Sequence, residues 1–393
     1  MSIETNLCIN QWKYVNEGSQ HIIFRYVGED NLFYYKILRL NKKSKYISEP
    51  IYTEEQLLIS ELLGTSSIYL TQPEDIILSQ NTIQGFTESI LSLENRDKRW
   101  KECLMSLCTN ASILPNLLQI PLELRDIHIN NIHTIGIEIK PKWGAMPKTI
   151  SHDIQKHICR YCMQQHIKYK KGSISSISTY CPLQFFSSSP VLRMSALMSL
   201  LQNNQNNIVF FMDGTKVTLS IIEKYISFII SSFHESNIQF KKNSNEYPSS
   251  FSELSISIQY LLCLLYSLLY SSTIVHDLLN IQTCNNYEIE QLYEMKYKKP
   301  QLYEENLERY LICRGARDCS ILLSFSPSQY YRIAQLTDII KVIRIGDISW
   351  CSSMGIIDLE MKSKNKIDDW YQQEIAIVNS YLNSDVKCKK SCV

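Results

Sequence analysis

Asp318 and Asp358 each stand at the margin of an apolar run, in RGARDCSILLSF and IIDLEMKSKNKIDDWY. A carboxylate at a strand end, its charge offset by Arg314 and Arg317, can accept a hydroxyl proton during phosphoryl transfer, although a structural Arg/Asp ion pair explains the same pattern. Asp358 sits where an aspartate holding Mg2+ would, and Glu360, two residues on, faces the same side of an extended chain.

The groups that would hold phosphates are spread along the chain. In IEIKPKWG an extended backbone points Glu138, Lys140 and Lys142 one way, and Pro141 stiffens it. Two like charges side by side repel unless an anion lies between them. Lysines also keep a strand edge soluble, which is the competing explanation. HICRYCMQQHIK puts Arg160 and Lys168 on a helix. Its His157, Cys159, Cys162 and His166 invite a zinc site, but on one helix the two imidazoles lie roughly 13 Å apart along the axis, whereas zinc ligands sit about 2.3 Å from one ion. The thiols there read as core residues.

LQNNQNNIVFFMDGT supplies Asn206 and Asn207, amides that either donate to phosphate oxygens or simply make a turn. Lys362, Lys366 and Trp370 recur every four residues, so a helix would align them on one stripe, or on a solvated basic face. WKYVNEGSQHIIFRY reads as strand, turn, strand, with Gly18, Ser19, Gln20 and His21 able to lay N–H groups over a nucleotide's phosphates. The next strand, YKILRL, places Lys36 and Arg39 one hairpin away.

In this order the segments EGSQH, KILR, EIKPK, CRYCMQQHIK, QNN, RDCS and IDLEMK resemble the inositol-pentakisphosphate 2-kinase family, from about Trp12 to Tyr371. The resemblance implies an ATP-dependent kinase that phosphorylates the 2-hydroxyl of inositol pentakisphosphate to give the hexakisphosphate, phytate, and ADP. It implies Asp318 as catalytic base, Asp358 on Mg2+ with Glu360 beside it, and Gly18, Ser19, Gln20, His21, Lys36 and Arg39 on the ATP phosphates. Glu138 would meet the adenine and Leu322 would pack under it. Lys140, Lys142, Lys168, Asn206, Asn207, Lys362, Lys366 and Trp370 would hold the substrate, with Arg160 supporting and Arg125 a further candidate. His21 replaces the family's usual loop asparagine, Lys366 an arginine and Trp370 a tyrosine. The stretch between the helices near Ile281 and Glu304 lacks the C-x-x-C of the zinc site in plant members, so no structural zinc is expected.

These residues need elements to carry them. Alternation through Ile22–Tyr26 and Leu32–Leu40 predicts a small antiparallel sheet, and Asn131–Lys142 a further strand. Helical spacing marks 54–63, 154–169, 191–202, 217–233, 251–270 and 306–313, with late strands at Ser320–Phe325 and Ile356–Leu359. The fold expected is α+β and two-lobed, kinase-like: an antiparallel-sheet N-lobe over residues 1–137, carrying the nucleotide loop, and a larger, mostly helical C-lobe over 138–393, carrying the hinge, the substrate site and the catalytic groups.

Composition excludes little and directs more. The 393 residues are 45% hydrophobic and carry a formal charge of +1, so no global field gathers nucleic acid or an anionic membrane, and any polyanion site is a local cluster. The longest apolar run, Tyr260–Tyr270, is too short to span a bilayer. Thirteen cysteines without a secretion signal at the start read as reduced thiols, hence cytoplasm or nucleus. A monomer without nucleic acid is expected. H-R-D-x-x-x-x-N and D-F-G are absent, which excludes a protein kinase of ordinary type. The alternative from another class is a non-catalytic polyanion or RNA-binding module.

Overall fold

A computed structural model describes residues 4–18, 21–42, 52–71, 73–94, 96, 106–126, 131–202, 205, 207–233, 247–328, 340–384 and 392. Ser19, Gln20 and Asn206 lie outside the described residues.

Two six-stranded sheets organise the chain. The first has the order β1-β5-β6-β4-β3-β2, from β1 (Glu4–Thr5), β2 (Trp12–Glu17), β3 (His21–Tyr26), β4 (Lys36–Lys42), β5 (Glu74–Leu78) and β6 (Leu107–Pro115), with β1–β5 parallel and its other pairings antiparallel. Alternation along β3 and β4 buries Ile22, Phe24, Leu38 and Leu40 against the helix Gln80–Leu91. There Phe24 meets Phe86 edge-on at 4.9 Å between ring centroids.

The second sheet is antiparallel, in the order β11-β12-β10-β7-β8-β9, with β7 (Ile135–Ile139), β8 (Ile208–Met212), β9 (Thr215–Val217), β10 (Ser320–Pro327), β11 (Ile340–Ile345) and β12 (Ile348–Ile357). Every residue of β10 is buried. Its Ile321, Leu323 and Phe325 join Ile137, Ile139 and the helices Pro190–Gln202, Leu219–Ser232, Ile256–Tyr270 and Ile274–Gln282 in the largest core. The result is a mixed α/β, two-lobed fold. The larger lobe holds a whole sheet of its own, which the two late strands read from the sequence only hint at.

Three stretches depart from the expected elements near the site. β7 spans positions 137 and 138, so the residues on both sides of the expected lobe boundary pair with β8 and β10. The expected helix over 154–169 breaks into the 3-10 turn Asp153–Lys156 and the helix Arg160–Lys170, because Cys159 stays extended (φ −67°, ψ 153°) as the N-cap. The helix Tyr52–Leu63, early in the chain, sends Ile59 and Leu63 into the larger lobe's core. Ser66 just beyond it donates to Asp277 Oδ2 at 2.6 Å, so this segment straps the lobes together.

No single helix among the described residues is long and apolar enough to cross a membrane. In Ile256–Tyr270 the side chains of Leu261, Leu262, Leu264 and Leu265 are fully buried.

Candidate active site

One end of the second sheet collects the candidate residues. Ser320 pairs with Ile357 and Ile321 with Ile139, while Ile139 pairs with Ile208. Asp318 before β10, Asp358 after β12, Lys140 and Lys142 after β7, and Asn207 before β8 therefore all emerge at the same edge.

Asp318 is the one exposed residue between Tyr310 and Ser328. Its Oδ1 lies 3.1 Å from Lys142 Nζ, and its side chain is 57% exposed. Burial around the cleft would raise its pKa, but Lys142, Arg314 and Lys362 together hold it below the usual carboxylate value. The direct partner is thus Lys142 from a distant segment, while Arg314, one of the two adjacent arginines, offsets the charge of Asp318 without touching it. Arg317 turns away: its guanidinium stacks 3.6 Å from the Trp143 ring centroid and donates to Gln282 O and Asn285 Oδ1, both at 3.2 Å.

Lys142 reaches Asp318 because the extended chain stops at Ile139. Lys142 has φ 64°, a left-handed conformation uncommon for a lysine, so the expected single row of Glu138, Lys140 and Lys142 does not form. Lys140 Nζ stays with Glu138 at 3.7 Å. The Lys142 turn is pinned by Gln282, which is fully buried. Gln282 Nε2 donates to Lys142 O at 2.9 Å and Ala316 O at 3.0 Å, and its Oε1 accepts from Gly144 N at 2.8 Å. Gly144 is required there, since a Cβ would stand 1.9 Å from the Phe186 ring. A lone glutamine in a helix gives no sequence signal of this role.

Lys168 lies within electrostatic reach of Lys142, Asp318 and Arg160, and its pKa is lowered by burial and then by Lys142. Lysines crowded without a carboxylate for each one have the chemistry to take an anion between them. Arg160 is more constrained: its Nε bonds Glu374 Oε2 at 2.6 Å and its Nη2 bonds Gln373 at 3.2 Å. Asn207 is buried, accepting from Tyr161 OH and donating to Lys140 O, both at 3.0 Å, so it fixes the Lys140 turn. Lys362 acts on Asp318. Lys362, Lys366 and Trp370 do not share a helix face, because the helix starts only at Ile367 after the 3-10 turn Lys364–Lys366. Lys366 is exposed, and Arg125 is held elsewhere by Ile120 O at 2.8 Å and Asp213 at 3.5 Å.

Arg314 is a candidate ligand that the sequence does not single out. It is 8% exposed, lies 4.9 Å from the Trp370 ring centroid, and has no carboxylate partner among the described residues. Burial and then Arg160 lower its pKa to about 10, with Asp318 pulling the other way. A buried guanidinium beside other cations, with no direct carboxylate contact among the described residues and Asp318 acting on it only at a distance, has the chemistry to take a phosphate.

Asp358 also has a left-handed backbone, φ 60°, and its exposed carboxylate makes no hydrogen bond or ion pair with a described residue. Free hard oxygens at a cleft edge suit Mg2+. Because β12 ends at Ile357, Glu360 does not continue a strand face from Asp358; it lies 3.5 Å from Arg39 across the lobes. The backbone of Glu360 packs so closely on Gly315 that a Cβ there would stand 2.1 Å from Glu360 O.

The glycine turn faces this edge. Gly18 N donates to His21 O at 2.9 Å, closing the hairpin, and a Cβ on Gly18 would meet nothing within 4 Å. His21 bonds Asn41 Oδ1 at 2.9 Å, and its pKa is lowered by burial and then by Arg39, while Glu360 and Asp358 pull the other way. Lys36 falls on the opposite face of β4 from Arg39, since side chains alternate. It is five residues from Asn41, or roughly 17 Å along the strand, so it does not reach the turn. Lys42 does: its Nζ donates to Gly18 O and pairs with Glu17, both at 2.8 Å. Glu17 is in turn bonded by Arg96 at 2.5 Å.

Glu138 and Leu322 are cross-strand partners, with Gly355 opposite Leu322 on the other side. Ser320 Oγ donates to Glu138 Oε1 at 2.8 Å. On this face Gly136, Ser324 and Ser353 form a row of small residues facing away from the main core. Away from the cleft, Cys159 and Cys162 lie with Cys181 and Cys392, the four sulfurs within 4.8 Å of one another.

Comparison with known proteins gives the family. A sequence profile of inositol-pentakisphosphate 2-kinase matches residues 14–376. The zebrafish (Danio rerio) inositol-pentakisphosphate 2-kinase is 23% identical over 472 aligned positions, covering 95% of this chain and 94% of its own length. The rice (Oryza sativa) protein of the same name is 25% identical over 422 positions, covering 95% and 94%. The Arabidopsis thaliana protein is 23% identical over 440 positions, covering 95% and 93%. With a match that runs through every segment of the site, the chain belongs to the inositol-pentakisphosphate 2-kinase family.

Proposed function

We propose that this protein transfers the γ-phosphoryl group of ATP to the 2-hydroxyl of inositol pentakisphosphate, giving the hexakisphosphate and ADP. The observation that carries the reading is Asp318, one accessible carboxylate on an otherwise buried stretch, ringed by Lys142, Lys168, Arg314 and Lys362. The cations clasp the substrate phosphates and leave one free hydroxyl against Asp318. As the hydroxyl oxygen bonds to the γ-phosphorus, the bond to the β–γ bridging oxygen breaks, the proton passes to Asp318, and ADP leaves. Lys142 keeps Asp318 ionised and oriented at the start of that step.

His21, Arg39 and the Gly18 turn, steadied by Lys42, cover the nucleotide phosphates, and Leu322 with its row of small neighbours seats the base beside Glu138. Asp358 would hold Mg2+, which when bound offsets charge on the β- and γ-phosphates. Cations from the turn after β7, two helices and the segment after β12 surround the ring because no single element can face five phosphates.

Purified protein with ATP, Mg2+ and inositol pentakisphosphate is expected to release ADP, and Asp318→Asn to lose that release while still binding the inositol phosphate. Tight RNA binding without substrate-dependent ADP release would favour a non-catalytic polyanion module and overturn the proposal.

A further inference from the structure

We propose that Cys284 and Cys313 are an oxidation site, at which hydrogen peroxide converts the two thiols to a disulfide that loosens the grip of the cleft on the inositol phosphate. The two sulfurs lie 3.2 Å apart although the residues are 29 positions apart in sequence. Cys284 stands just beyond the helix Ile274–Gln282 and is half-buried, so a small oxidant reaches it. Cys313, near the end of the helix Pro300–Ala316, is fully buried.

The surroundings make Cys284 the attacking sulfur. Lys148 Nζ donates to the carbonyls on either side of it, Thr283 O at 2.8 Å and Asn285 O at 2.5 Å. Arg317 Nη2 bonds the same loop at Gln282 O and Asn285 Oδ1. The Cys313 thiol, then Arg309, Arg317 and Lys148, outweigh burial and bring the Cys284 thiol down to about 7, while Cys284 and burial push Cys313 up, so it keeps its proton. A half-exposed thiolate in a positive setting, with a second thiol in contact, has the chemistry of a peroxide-sensitive cysteine and its resolving partner.

The Cys284 thiolate attacks one oxygen of hydrogen peroxide, the O–O bond breaks, and the departing hydroxide takes a proton and leaves as water, giving a sulfenic acid. The Cys313 sulfur then attacks the Cys284 sulfur, the S–O bond breaks, and the hydroxide leaves as a second water with the Cys313 proton. Two sulfurs are oxidised and one peroxide is reduced to two waters. The new bond ties together two segments that carry the cleft. Cys284 stands two residues after Gln282, whose side chain holds Lys142 O, Ala316 O and Gly144 N, and Cys313 immediately precedes Arg314. Drawing the sulfurs from contact to covalent distance moves the Gln282 pin and the Arg314 guanidinium with them, and misplacements of about 1 Å are enough to cost a site dearly.

The inference rests on the reading of this cleft as the inositol-phosphate site, and the test reads binding so that the two can fail separately. Purified full chain, reduced and then treated with dilute hydrogen peroxide, is expected to yield a disulfide-linked pair of peptides holding Cys284 and Cys313. Calorimetry is expected to show the oxidised chain binding inositol pentakisphosphate about tenfold more weakly, with tight binding restored by a thiol reductant. Cys284→Ser is expected to bind as the reduced parent does, before and after peroxide. Because a variant can misfold, the peptide map and the reversal are read on the parent chain itself. A reduced chain that binds inositol pentakisphosphate but releases no ADP from ATP would fail the assigned reaction and leave the comparison of affinities standing. No link between Cys284 and Cys313, equal affinity before and after oxidation, or an equal loss in Cys284→Ser would overturn the proposal.

Discussion

Residue by residue, the site depends on charges whose partners lie far away in sequence. Lys142 is the strongest pull on Asp318 against burial, which acts to raise its pKa. Lys142→Met leaves burial less opposed, so the Asp318 pKa rises and more of it is protonated at low pH. The acid limb of the rate profile is then expected to move to higher pH, measured as kcat/KM against pH; an unmoved limb would remove Asp318 as the titrating base. Arg314→Ala removes a charged donor worth about 1.5–3 kcal/mol, so the KM for the inositol phosphate is expected to rise about 10- to 100-fold with KM for ATP unchanged. Equal rises for both substrates would place Arg314 outside the phosphate pocket. Asp318, Lys142 and Lys168 are legible from residue type and order. Arg314 reads only as a neighbour of Asp318, because nothing in the string RGAR tells that one guanidinium stacks on Trp370 while the next stacks on Trp143.

Among the elements, the sheet edge does the positioning and two pins set its tolerance. Gln282 joins Lys142 O to Ala316 O and so fixes the distance between the lysine turn and Asp318. Gln282→Leu leaves those buried carbonyls short of a donor, and kcat is expected to fall at least tenfold with little change in KM for ATP; an unchanged kcat would show that the turn holds itself. Under the glycine turn, Glu17→Ala leaves Arg96 and Lys42 without their buried carboxylate. Breaking such a cluster costs about 3–5 kcal/mol, which a thermal melt should register as a fall of several degrees. Strands with clean alternation, such as β3, are readable in the sequence, and so is the helix 191–202. Most of β12 is not, because a strand buried on both faces loses the period-two signal, and neither the half-buried β11 nor β6, exposed only near its start, alternates cleanly. The helix break at Cys159 is hidden for a different reason: the residue takes an extended N-cap backbone inside a run whose spacing is helical.

Across the whole molecule, the lobes are tied by contacts that the ligands would have to respect. Arg39 reaches Glu360, Glu55 accepts a hydrogen bond from Met361 N, and Leu70 bridges to Ile356. The two-lobed plan and the family can be read from the order of short motifs. The paths by which residues 52–70 and 392 return to the larger lobe cannot, since they rest on contacts hundreds of positions apart. If these returns and turns make one pocket for one phosphoryl transfer, the protein phosphorylates the one hydroxyl that the pentakisphosphate leaves free and adds nothing to its existing phosphates, and phosphorus NMR of the product from ATP, Mg2+ and inositol pentakisphosphate reads this. A single inositol hexakisphosphate is expected, with the new phosphate at position 2, and none from Asp318→Asn. A pyrophosphate-bearing product, or the hexakisphosphate formed by Asp318→Asn at the parent rate, would refute the one-pocket mechanism.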